Sequence, residues 1–209
     1  MATPSIYQQA LGSRFSQLDP GLHAYFGAIP TGTAGVGSGI YSVAGSRIAW
    51  LRPVFAMMAW RGILFPDFVR DVPFTVVNIA EPDGSLSATR TFDFPRRTRR
   101  TRRMCDRMTA DGERLRDRLG RRGGLEVTLG IRVVDGELHL SSERLALHLR
   151  RLRIPLPHWA RVSVRERWAG GIQHVDVRIR MPLLGDVFRY AGSFTFAHVP
   201  LTDPERMPR

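Results

Sequence analysis

The chain has 209 residues and a formal net charge of +12, with 43% hydrophobic and 24% charged residues. That mix excludes global disorder, and the length allows a core that buries roughly 70% of the unfolded surface. All 31 basic residues are arginine, the mark of a GC-rich coding bias, so where the charge sits says more than its total.

In chain order, residues 5–26 (SIYQQALGSRFSQLDPGLHAYF) carry helical spacing: Ile6, Ala10, Leu11 and Phe15 form one stripe, continued by Leu18, Leu22, Tyr25 and Phe26. Asp19-Pro20 breaks the pattern, and Asp19 can cap a second short helix. The glycine-rich stretch 31–43 (TGTAGVGSGIYSV) reads as a loop or irregular strand, and a third helix is expected over much of 48–60. Segment 48–65 is the most apolar, but Arg52, Pro53 and Arg61 interrupt it, and a span needs roughly 20 apolar residues. The first residues lack the charged-then-apolar pattern of a signal peptide. The expectation is a soluble, cytoplasmic protein.

After Arg70 the period changes to two. Segments 71–80, 85–94, 124–134, 136–149, 160–169, 172–181 and 188–199 alternate, separated by turn signals at Pro82-Asp83-Gly84, Asp111-Gly112, Asp135-Gly136 and Gly170-Gly171. The expected fold class is α+β, mostly β. N-terminal helices precede an antiparallel meander of about eight or nine strands that closes into a calycin-like barrel or half-barrel. The organisation expected is one domain over 1–209: a helical and loop cap at 1–65, the barrel at 70–199 and a flexible tail at 200–209. The proline-rich end, VPLTDPERMPR, argues against a closing C-terminal helix and for N-terminal helices over the barrel mouth.

The charge excess is local. Six arginines meet six acids up to residue 95, 17 meet eight over 96–153, and eight meet five beyond. Arg96, Arg97, Arg99, Arg100, Arg102 and Arg103 repeat with period three, which gives no clean stripe on a strand or a helix. With 114–119 as partner, the simplest picture is a two-stranded ribbon at the sheet's periphery, its charges discouraging edge pairing. No aromatic residue lies between Arg96 and Arg122, so the stacking partners of a nucleic-acid site are missing. A solvated face is preferred to a nucleic-acid grip. Contact with an anionic membrane stands between the two, since polybasic segments are drawn to such surfaces and 48–65 supplies an apolar wedge.

Strand parity places charges on apolar faces. Arg90 shares a face with Leu86, Ala88, Phe92 and Phe94, Glu166 with Val162, Val164 and Trp168, and Asp117 with Leu115 and Leu119. Buried charges must be paired, so Arg90 and Glu166 are expected to meet inside the barrel with Tyr190 nearby. This is either a structural ion pair that sets register or the polar anchor of a ligand pocket walled by Phe74, Val76, Phe92, Phe94, Trp168, Tyr190 and Phe194.

Catalytic and metal signals are weak. The six histidines show neither HxxxH nor HxH spacing, GVGSGI (35–40) has no following lysine, and no G-x-S-x-G elbow occurs. No metal and no cofactor are expected. The one cysteine, Cys105, lies among Arg102, Arg103 and Arg107 without an evident base, and it excludes an intrachain disulfide or a thiolate zinc cluster.

Taken together, SIYQQALG, LDPGLHAYFG, ILFPDFVRDVPFTVVN, TRTFDFPRR and YAGSFTF resemble the bacterial domain-of-unknown-function family 4166, from Ser5 to Phe196. The most specific pieces are Arg70 to Phe74 and Arg90 to Pro95. The resemblance implies a domain that occurs alone or attached to oxidoreductase-like domains. It therefore implies an oxidoreductase-like partner and an apolar substrate or product, with no established activity. Arg70 and Asp71 join the ligand-binding candidates on this basis. The expected function is binding of an apolar or amphipathic, lipid- or isoprenoid-like small molecule. The alternatives are an enzyme using the same cavity with Glu166 as acid/base, and a polyanion- or membrane-binding module through 96–122.

Overall fold

The alternating segments pair with their neighbours in chain order and come full circle. The computed structural model describes residues 3–94, 101–149, 152–157 and 159–201. Its strands are β1 (Thr33–Gly45), β2 (Phe68–Val69), β3 (Val72–Ala80), β4 (Leu86–Asp93), β5 (Thr101–Asp111), β6 (Arg114–Leu119), β7 (Leu125–Val134), β8 (Glu137–Leu149), β9 (Leu152–Leu156), β10 (Arg161–Ala169), β11 (Ile172–Met181) and β12 (Gly185–Pro200). Ten of them form a closed antiparallel barrel. β8 pairs with β10 and β12 pairs with β1, while β2 and β9 are short additions on β1 and β8. An even strand number lets an up-and-down meander close without a parallel pair, and closure removes the edges.

The expectation of eight or nine strands fell short because the glycine-rich stretch is β1, a barrel strand 13 residues long. The cap expected at 1–65 therefore contains one stave of the barrel, and β12 extends past the expected end at 199 to Pro200. Three inward glycines on this seam stand opposite large rings: Gly37 opposite Phe196, Gly39 opposite Phe194 and Gly192 opposite Tyr41. The Phe194 ring lies over Gly37 and the Phe196 ring over Gly35, while Gly39 and Gly192 lie against the facing strand's backbone, so glycine here supplies room rather than a turn. A Cβ on Gly37 would stand 2.7 Å from Val76 Cγ1 and 2.9 Å from Phe194 Cδ2, and one on Gly39 would run into the backbone oxygen of Ser193.

The expected peripheral ribbon is also corrected. β5 lies between β4 and β6, and β6 between β5 and β7, so both are internal staves. Their outward arginines are largely paired: Arg107 with Asp83, Arg114 with Glu143, Arg116 with Asp111 and Arg118 with Glu126, while Arg102, of inward parity opposite Phe92 at the barrel end, pairs with Asp67. Arg96, Arg97, Arg99 and Arg100, like the tail from 202, lie outside the described residues.

Both mouths are covered. The first is closed by α1 (Ile6–Leu11), two 3₁₀ turns and α2 (His23–Phe26). Ser5 starts α1 with a reciprocal cap to Gln8, and Asp19 accepts a hydrogen bond from the Gly21 N–H at 2.8 Å. The Asp19 N–H donates to Gly136 O in the β7–β8 turn, which fixes the cap to the barrel. The second mouth is closed by α3 (Arg52–Trp60) and the segment 61–65, where Cys105 N–H donates to Gly62 O and Arg121 N–H to Arg61 O. Phe65 wedges there against Phe92, Phe94 and Phe188.

Gly39→Ala and Gly192→Ala are each expected to destabilise by about 3 kcal/mol, the upper range for overpacking. Ser38→Ala, on the exposed face of the same strand, changes stability by less than about 0.5 kcal/mol. Urea unfolding midpoints of the three variants check this, and equal midpoints would remove the steric account of the seam.

Candidate functional site

Inside the barrel the two caps leave a cavity of about 100 Å³. Most of its wall is aliphatic or aromatic, with Phe74, Val76, Val127, Leu129, Val177 and Phe194 among the lining residues. Into this apolar space project one guanidinium (Arg90), three carboxyls (Asp106, Asp117, Glu166) and the rings of Tyr7, Tyr25, Tyr41 and Tyr190.

Arg90 and Glu166 both face the cavity, yet they do not form the expected pair. Arg90 Nη1 donates to Asp106 Oδ1, and Glu166 accepts from the side-chain amide of Gln173. The reason is register. Asp106 on β5 lies next to β4 and diagonal to Arg90, whose direct partner is Met104. Glu166 lies on β10, directly opposite Val175 and diagonal to Gln173 on β11. Asp117 faces inward as parity requires, on β6 opposite Met108 of β5 and Val127 of β7. Its Oδ1 is buried without a hydrogen-bond partner, which is unusual for a native interior.

Low dielectric sets the protonation of the cluster. Burial raises the Glu166 carboxyl to about 7, with the Gln173 hydrogen bond and Arg90 opposing. Burial, then the neighbouring Asp106, drives Asp117 well above the ordinary carboxylate range. Burial pushes Asp106 upward too, against the pull of Arg90. The same cause lifts Tyr190 to about 12 and Tyr7, Tyr25 and Tyr41 still further. At neutral pH the interior thus holds Arg90 paired with Asp106, a Glu166 near its midpoint, an Asp117 pushed toward its protonated form and four phenolic hydroxyls.

The other candidates divide by height in the barrel. Phe74, Val76, Tyr190 and Phe194 line the cavity. Phe92 and Phe94, expected as walls, are packed below it against Phe65, because the 61–65 segment fills that end. Trp168, also expected as a wall, has inward parity but sits at the mouth, where it lies across Gly21 and remains 36% exposed. Arg70 and Asp71 are exposed and outside the cavity, because β3 begins only at Val72 and Asp71, at φ 51°, turns the chain between β2 and β3. Of the arginine run, Arg102 is paired with Asp67 and Arg103 is exposed. Cys105 faces outward beside Thr89. Among the described residues no group of three His, Cys, Asp or Glu is arranged to hold a metal ion.

Sequence reasoning missed Asp106, Gln173, Tyr41 and Tyr7. Asp106 had a signal, since Met104, Asp106 and Met108 alternate on one face. Tyr41 lies in the glycine-rich stretch that reads as a loop or irregular strand, where no alternation marks its face, and Tyr7 enters the barrel from a helix whose placement no local pattern specifies.

The model of the family described as Domain of unknown function (DUF4166) matches residues 18–194. The matched span begins after α1, so the SIYQQALG segment lies outside it. No curated protein and no solved structure matches.

Two outcomes follow from the buried charges. Arg90→Met strands Asp106 and is expected to destabilise by about 3–5 kcal/mol, while adding Asp106→Leu restores most of the loss; a double-mutant cycle in urea measures it. Glu166 binds its proton more tightly folded, at about 7, than at its ordinary 4.5. Its stabilising contribution is therefore full below about pH 4.5 and is lost as pH rises through about 7, a change of about 3 kcal/mol. Asp117 acts with the same sign. Unfolding midpoints should thus fall between about pH 5 and pH 8 in the wild type, and Glu166→Gln should flatten much of that slope.

Proposed function

The chain belongs to the domain-of-unknown-function family DUF4166, and for it we propose that the barrel interior binds a small amphipathic molecule. Its apolar body packs against the aliphatic wall, and its head is a neutral hydrogen-bonding group, a carbonyl or hydroxyl. The observation that carries this is Asp117, a buried carboxyl with an unpartnered oxygen at the wall of an enclosed cavity. A chain that keeps such a group gives up stability, and an uncharged acid offers both a donor and an acceptor to a ligand. Three carboxyls against one guanidinium argue against an anionic head, since Arg90 is already neutralised by Asp106.

The cavity's size bears on the ligand. At about 100 Å³ it suits a ring or a short chain, comparable to the cavity of about 150 Å³ that takes up benzene. A longer lipid- or isoprenoid-like tail requires Tyr7 and Tyr25 to swing out of the mouth.

A second reading has its own observation. Glu166 at about 7 is poised for general acid/base catalysis at neutral pH. On that reading Asp117 and the tyrosine hydroxyls hold a carbonyl oxygen while Glu166 moves a proton. A rate profile with a limb near pH 7 that disappears in Glu166→Gln separates the enzyme from a carrier.

Native mass spectrometry of freshly purified protein, with organic extraction of the same sample, tests the ligand. The expected result is a stoichiometric small-molecule adduct. In Asp117→Leu the adduct weakens about tenfold, a loss of about 1.4 kcal/mol, while the ligand-free protein becomes as stable or more stable because a buried carboxyl is gone. A clean apo mass that also resists short-chain ketones, alcohols and aromatic amphiphiles would leave the cluster a structural one.

A further inference from the structure

The exposed apolar side chains are not scattered over the barrel. Thirteen large hydrophobic residues stand exposed among those described, and nine of them gather at the α3 end. The helix and the 3₁₀ turn before it present Trp50, Val54, Met57 and Trp60 to solvent, with Trp50 64% and Trp60 77% exposed. The β11–β12 hairpin ends at the same mouth, where Phe188 of β12 meets Phe55 of α3. Its tip carries Leu183, wholly exposed, followed by Leu184. The end of β8 also reaches this mouth, where His148 N–H donates to Gly124 O beside the β6–β7 turn. From there β9 and the residues that follow add exposed Leu152, Ile154 and Trp159. Three of the four tryptophans thus stand at one end.

The charge around them is mainly positive. From Arg47 to Pro66 the chain contains Arg47, Arg52 and Arg61 and no acid. Exposed Arg103 and Arg121 adjoin Gly62. Of the acids at this end, Asp67 is engaged by Arg102 at 2.9 Å and Asp186, beside Leu184, by Arg180 at 3.0 Å, while Asp93 is exposed. Phe94 and Thr101, which flank the arginine run in sequence, belong to this mouth as well: Phe94 packs on Phe65, and Thr101 begins β5. Tryptophan rings and leucines projecting from three separate elements, with arginines between them, match the boundary between lipid headgroups and acyl chains. There an indole buries its ring while its N–H stays wet, and a guanidinium meets phosphate. No helix among the described residues is long and apolar enough to cross a membrane, so the contact is with a bilayer surface.

We infer that the α3 end of the barrel docks on an anionic lipid bilayer. Trp50, Trp60, Trp159 and Leu183 enter the headgroup boundary, and Arg47, Arg52, Arg61 and Arg121 face lipid phosphates. This surface shares no residue with the cavity cluster and stands whether or not the interior binds a ligand. It does turn toward the bilayer the segment that follows α3, whose Ile63 and Leu64 line the cavity.

The test is co-sedimentation of the full chain with vesicles of phosphatidylcholine alone and of phosphatidylcholine and phosphatidylglycerol at about 7:3. The expected result is binding to the anionic vesicles, a blue shift of tryptophan emission, and loss of binding as salt rises from about 0.1 to 0.5 M. Trp50→Ser/Trp60→Ser/Leu183→Ser should lower the bound fraction about tenfold with an unchanged melting temperature, since these are surface positions. Arg52→Glu/Arg61→Glu should remove the preference for phosphatidylglycerol. Three results would overturn the inference. The first is no binding to anionic vesicles at low salt. The second is binding that survives the triple substitution. The third is a dimer in light scattering that the triple substitution dissolves without any vesicle binding, which would make this end a self-association face.

Discussion

The barrel depends on one seam. β1 and β12, the first and last staves of the ring, join through inward pairs of glycine and aromatic, and only this alternation lets two strands with large rings share a narrow interior. A slip of one residue would turn Tyr41, Phe194 and Phe196 outward and leave the core short of its largest side chains. Closure then takes the interior out of bulk solvent, and that burial sets the titration of the groups there. It raises Glu166 to about 7, drives Asp117 well above the ordinary carboxylate range and holds Arg90 on Asp106.

Two kinds of buried acid illustrate how geometry decides the same chemistry. Glu126 is on the outer face of β7, 2% exposed, under Arg118, His148 and Arg153. Burial raises its carboxyl, but hydrogen bonds from Arg153 and His148 outweigh that and hold it below the ordinary range. Its role is to tie β8 and β9 to β7. Asp117 is about as buried, yet has no cation of its own and moves the other way. A satisfied ion cluster stabilises the wall, whereas an unsatisfied carboxyl inside it is a group waiting for a partner.

The two ends of the molecule differ in the same physical sense. At the first mouth Trp168 lies on Gly21 and Tyr25 sits edge-on to Phe194 and Phe196, so aromatic surface is used within the fold. At the α3 end Phe55 and Phe65 face inward while Trp50 and Trp60 face out. Among the described residues nothing covers that second face, which is why it reads as a contact surface.

Much of this was legible in the sequence. The period-two segments mark seven barrel strands to within a residue or a few, because side-chain alternation is a local consequence of the pleat. The inward direction of Arg90, Asp117 and Glu166 follows from the same parity. The stripe from Ile6 to Phe26 and the cap at Asp19 were equally local. Three matters were decided only by the tertiary structure. β1 became a strand because distant rings from β12 fill the space its glycines leave. The charge partners were chosen by strand register, which gave Arg90 to Asp106 and Glu166 to Gln173. The gathering of apolar side chains at one mouth came from bringing α3, the Leu183 hairpin tip and β9 together across more than a hundred residues of chain, a proximity that ring closure creates and no local pattern encodes.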